Sequence, residues 1–156
     1  EELLESSIMK EAIENTGAVV MGRKAYEMAD DPDLYADNYE FRVPIFVLCS
    51  TPPKKHPKES DQLTFTFVTE GIEQAVALAK EAAGEKEVLV LAGAQTVQSC
   101  IKAGLADELE IDVMPVLLNG KQKLFDHLGD TPIELEKLQV REVGERTSIR
   151  FRVVRK

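Results

Sequence analysis

Hydrophobic positions along the chain change period several times, and each change marks an element. Leu3, Leu4, Ile8, Ala12 and Ile13 recur at helical spacing, which predicts an amphipathic helix over residues 2–15. Ala18 to Met21 is a short unbroken apolar run, the pattern of a strand buried on both faces. Arg23 to Ala29 reads as a short helix, and Asp30 to Arg42 as a loop with room for one helical turn. Pro44 to Cys49 reads as a second buried strand and Leu63 to Val68 as a third, with a proline-rich loop over 50–61 between them. Ile72, Ala75, Val76 and Ala79 mark a helix that Gly84 caps at its C-terminal end. Val88 to Leu91 is a fourth strand; Val97, Cys100 and Ile101 mark a helix ended by Gly104; Leu109 to Leu118 is strand-like. Ile133–Val143 and Thr147–Val154 pair about Gly144-Glu145, with Ile149, Phe151 and Val153 alternating with arginines as in a half-buried strand.

Strands alternating with helices across short connections predict an α/β fold. Its sheet is mostly parallel but mixed, covered by helices on both faces in three layers, with a C-terminal antiparallel hairpin. The 156 residues suit one domain, and no internal repeat is present. Charge narrows the partners: 19 Lys and Arg against 28 Asp and Glu leave a net charge of −9, which opposes general binding to nucleic acid or anionic membranes. An anionic small ligand needs only a local positive field and is not excluded. Cys49 and Cys100 cannot build a disulfide framework, and no apolar run nears the roughly 20 residues of a membrane helix, so a cytoplasmic location is expected. The chain opens at Glu1 directly into a helical pattern, and the expectation is that a segment is missing upstream.

Two segments share one grammar. Ala18 to Lys24 runs strand, Gly22, basic helix start; Val88 to Thr96 runs strand, Gly93, helix start with a hydroxyl. In each, glycine lets the backbone approach a ligand, and the free N–H groups of a helix start favour an anion. Two such turns on neighbouring strands would clamp a pyrophosphate, although either glycine alone also suits close packing of helix on strand. Neither has the spacing of a Rossmann or P-loop motif. Between them, Ser50 and Thr51 precede Lys54, Lys55, His56 and Lys58, the densest basic cluster in the chain. A nucleotide with an extra phosphate would use such a loop, and a solvated surface run is the other reading. Tyr35, Tyr39 and Phe41 sit where a substrate lid would fit, Tyr26 reads as core, and Asp107 and Glu108 read as structural carboxylates. No His, Cys or Asp spacing suits a metal, and no nucleophile triad is evident.

Gly17 to Glu27 resembles the first glycine turn of dihydrofolate-reductase-like proteins, and Val88 to Thr96 resembles their second. Ala103 to Leu109, Pro115 to Leu118 and Leu124-Phe125 resemble the reductase domain of the bifunctional riboflavin-biosynthesis deaminase–reductase. The resemblance implies an NADPH-dependent reductase, often dimeric, acting on a small pterin- or pyrimidine-like heterocycle. By that likeness Gly22, Arg23 and Lys24 hold cofactor phosphates, Ser50 and Thr51 face the adenosine 2′-phosphate, and Gly93, Ala94, Gln95 and Thr96 cradle the pyrophosphate. It also implies a single domain over 1–156 whose family's first strand, bearing residues near the nicotinamide, lies before Glu1; no catalytic acid is named. The chain departs from the family at Ala25, where Thr is usual, at Ala92, where a Gly-Gly pair often forms a cis peptide, and at Leu91, where the riboflavin reductases carry Glu. Leu91 argues against the authentic riboflavin step, while Ala25, Ala92 and the absent upstream segment favour the alternative, a nucleotide-binding or regulatory module that kept the fold without the reaction.

Overall fold

The computed structural model describes residues 2–91 and 93–155. In chain order come α1 (Glu2–Asn15), β1 (Thr16–Gly22), α2 (Arg23–Glu27), a 3-10 turn (Pro32–Leu34), α3 (Tyr35–Asn38), β2 (Ile45–Leu48) and β3 (Phe65–Val68). They are followed by α4 (Ile72–Ala83), β4 (Glu87–Leu91), α5 (Ala94–Lys102), β5 (Glu108–Val113), β6 (Leu135–Val143) and β7 (Arg146–Val153).

The first four strands make a parallel sheet in the order β3-β2-β1-β4. β1 has no polar alternation because both its faces are covered. Ala18 and Val20 join Phe46, Val68 and the α4 residues Ala75, Val76 and Ala79 on one face. Val19 and Met21 join Tyr26, Phe41, Ile45 and Val47 on the other, where Ala12 of α1 and Ala25 of α2 also pack. Each fully buried aliphatic side chain contributes roughly 1.5–3 kcal/mol, so this double layer anchors the fold. α4 approaches β1 closely at Gly17, where a Cβ would lie 2.8 Å from the Ala83 carbonyl oxygen.

The last three strands form an antiparallel sheet in the order β5-β7-β6. The terminal hairpin turns at Gly144-Glu145, as the pattern indicates, and takes β5 as its third strand in a separate sheet rather than extending the parallel one. The strand expected over Leu109 to Leu118 stops at Val113. There it faces Thr147, next to the start of β7, and Pro115 has no N–H for a ladder. Residues 114–134 carry no helix or strand and are exposed almost throughout, Leu117 completely.

The aromatic segment also differs from expectation. Tyr35, Tyr39 and Phe41 form no lid. The α3 turn folds back onto the sheet, Tyr35 stacks on Tyr26 at 6.0 Å and meets Tyr39 edge-on at 5.2 Å, and Phe41 is buried in the core. Burying that much ring surface is worth more than leaving it at a mobile edge. No helix among the described residues is long and apolar enough to cross a membrane.

Candidate functional site

β1 and β4 are neighbours, with Met21 opposite Leu91, so both strands leave the sheet at the same level. On the other side Gly22 lies opposite Leu48, and Leu48 opposite Val68. Four parallel strands thus end on one line, the place where open α/β sheets bind ligands. A cleft of about 520 Å³ opens beyond that line.

Most of the residues singled out from the sequence meet there. Gly22, Arg23 and Lys24 follow β1 at the centre, Gly93, Ala94, Gln95 and Thr96 follow β4 on one side of it, and Ser50 follows β2 on the other. Thr51 is exposed and does not line the cleft. An adjoining cavity of about 280 Å³ shares Leu48, Gln95 and Thr96 with the first.

Gly22 and Gly93 hold extended backbone, with φ of −75° and −71°, so neither conformation demands glycine. Packing does not demand it at Gly93 either. A Cβ there would meet no protein atom within 4 Å and would stand in the cleft. Close packing of helix on strand therefore does not explain Gly93. The first α5 hydrogen bond runs from the Val97 N–H to the Gly93 carbonyl at 3.2 Å, and no side chain caps the helix. The N–H groups of Ala94, Gln95 and Thr96 precede that bond and lack intrahelical acceptors, which makes this end a cradle for an anion.

Cations flank the cradle. Arg23 Nε donates to Glu27 Oε1 at 2.8 Å, and this contact raises the guanidinium above its ordinary value. Cys49 lies close by; burial pushes its thiol up and Arg23 only partly offsets this, which disfavours the thiolate. The basic loop is a different matter. Lys55 pairs with Asp33 at 3.0 Å, Lys58 with Asp37 at 2.9 Å, and His56 with Glu59 at 3.4 Å. The Lys58 backbone N–H and the Lys55 ammonium together hold the Asp33 carboxyl below its usual range. The cluster pins the 50–61 loop to the 31–38 segment instead of facing the cleft, and Lys54 does not line the cleft either. Asp107 pairs with Arg155 at 2.8 Å at the edge of the second sheet.

Leu48, Cys49, Val68, Thr69, Gly71 and Gln122 also line the cleft without having been singled out. For Gly71 a signal existed: Val68 to Ile72 is a third passage from strand through glycine to helix, and its φ of 104° is one that glycine alone adopts readily. Gln122 carried no local signal, because it reaches the cleft from a long irregular segment. The Ala92-Gly93 peptide, whose isomer the family resemblance raised, lies outside the described residues.

The model of the RibD C-terminal domain family matches residues 4–149. The chain belongs to that family. Among solved structures, a putative riboflavin biosynthesis protein from Shewanella sp. PV-4 is similar at 25% identity and a TM-score of 0.69, covering 92% of this chain and 77% of that one. RibD from Acinetobacter baumannii is similar in fold at 16% identity and a TM-score of 0.64, covering 99% of this chain and 51% of that one, so the chain spans about half of it. A pyrimidine reductase-like protein from Corynebacterium diphtheriae matches at 10% identity and a TM-score of 0.57, covering 90% and 77%. No curated protein matches significantly. The RibD C-terminal domain family carries the dihydrofolate-reductase-like α/β fold, and the parallel sheet described above is its core.

Proposed function

We propose that the chain is an NADPH-dependent reductase of a small heterocycle of the pyrimidine class, on the riboflavin-biosynthesis reductase plan. The observation that carries this reading is Gly93: a glycine required by neither its φ nor its packing, open to a cleft beside three unpaired helix N–H groups. Two adjoining cavities beyond the strand ends suit an elongated dinucleotide better than a single compact ligand. On this reading the α5 amides hold the pyrophosphate, and Arg23 and Lys24 supply charge to a further phosphate. Ser50 and Thr69 add hydroxyl donors from the ends of β2 and β3. The bound nicotinamide supplies the hydride, and the chain's task is to fix its position. Leu91 packs with the Val19 and Met21 core instead of offering a carboxylate, which supports a substrate without the ribityl requirement of the riboflavin step. Together with Ala25, Leu91 also favours a second reading, a nucleotide-binding module without turnover.

Titration with NADPH and NADH tests the first reading. At a hundred times its dissociation constant NADPH should stabilise the fold by about 2.7 kcal/mol, visible as a rise of several degrees in Tm. Arg23→Ala should weaken NADPH binding about tenfold, as expected on losing a charged hydrogen bond. Lys55→Ala should leave it unchanged, because Lys55 is engaged by Asp33 away from the cleft. No shift with saturating NADPH overturns the reductase; binding without oxidation of NADPH by any heterocycle leaves the second reading.

A further inference from the structure

The segment joining β5 to β6 is long, exposed and without regular structure. Segments of that kind in a compact fold are functional or disordered. This one is tied down at one place next to the cleft. Gln98 lies on α5, one turn beyond the residues that line the cleft, and is only 7% exposed. Its side-chain Nε2 donates to the Lys123 carbonyl and to the Leu124 carbonyl, both at 3.0 Å. A carboxamide nitrogen has two protons, and both are used on consecutive carbonyls, which fixes the direction of the chain there as well as its distance. The residue immediately before this clamp is Gln122, and Gln122 lines the cleft.

We propose that Gln98 is a positioning residue that clamps the 122–124 backbone to α5 and so delivers the Gln122 side chain to the bound nucleotide. This rests on the nucleotide reading of the cleft. Burying a carboxamide is costly unless it is satisfied, and a leucine or methionine would fill the same space on α5 without that cost. What a glutamine adds there is the two-point hold on a strap that otherwise runs through solvent. The strap then contributes a neutral polar group to the cleft that Arg23 and Lys24 also line. That group recognises a hydrogen-bonding feature of the ligand and not its charge.

The test is a double-mutant cycle on the intact chain with NADPH as the probe. It uses Gln98→Met, which keeps volume and removes both donors, and Gln122→Ala, an exposed change that spares the fold. Hydrogen exchange of the 119–126 peptide reports the strap directly. Expected are faster exchange in that peptide for Gln98→Met, and a dissociation constant raised about tenfold by either variant. The double variant should be no weaker than Gln122→Ala alone, because both changes act through one contact. Restoration by Gln98→Asn is not expected, since the shortened side chain cannot span to both carbonyls. If Gln98→Met weakens NADPH equally in the Gln122→Ala background, or loosens the strap without changing affinity, the clamp does not act through Gln122 and the proposal falls. If Gln98→Met does not fold, an unchanged dissociation constant for Gln122→Ala suffices to overturn it. Failure of the unaltered chain to bind NADPH overturns the nucleotide reading itself, which is a separate result from an unaffected Gln98→Met.

Discussion

Tyr39 shows how a residue that looks functional in sequence earns its place by packing. Burial, with Tyr35 and Glu40 adding smaller effects, pushes its phenol up to about 12 from an ordinary value of 10.0. The folded state therefore disfavours the phenolate that the unfolded chain forms more readily. The corresponding stability is complete below pH 10.0 and declines as pH rises towards about 12. Tyr39→Phe should flatten that alkaline decline in part, with Tyr26 and Tyr35, also shifted upward by burial, accounting for the rest. Urea midpoints of the two proteins, compared on either side of pH 10.0, measure the difference. An equal decline in both would mean that Tyr39 is hydrated in the folded state.

The elements that bound the site were largely legible, because each depends on local pattern. The unbroken run Ala18 to Met21 reads as a doubly covered strand and forms one, and Gly84 ends α4 with a φ of 63°, a conformation natural to glycine. What local pattern does not contain is which charges find each other across the fold. Lys55 and Lys58 lie more than twenty residues from Asp33 and Asp37, so their neutralisation could not be read from the loop itself. The same holds for Gln122, brought to the cleft by a contact with α5. Gly17 belongs to this scale too. A Cβ there meets the Ala83 carbonyl oxygen and the Lys86 Cβ at 2.8 Å, and the carbonyl belongs to the backbone that ends α4. Gly17→Ala should push α4 off β1 and cost about 1–3 kcal/mol, with little effect on the cleft at the other end of the strand. Denaturant unfolding checks this, and a loss well under that range would show that α4 shifts freely.

Across the molecule the two sheets are unequal. The parallel sheet is enclosed by apolar clusters on both faces, whereas β5 and β6 show exposed positions along most of their length, Val140 at 49% and Leu135 at 39% among them. Opening a segment costs less where less apolar surface is exposed by doing so. Native-state hydrogen exchange in low denaturant should find β5, β6 and β7 opening at lower free energy than β1 and β2, and a single shared opening energy would contradict this. The cleft sits on the firmer part, floored by strand ends and helix amides. Peptide N–H groups are present whatever side chain the gene encodes, proline excepted. A floor made of them survives wholesale replacement of its neighbours, so long as the few positions needing a bare Cα stay bare. Such a protein is free to exchange one substrate for another through successive mutations around a grip that never has to be reinvented.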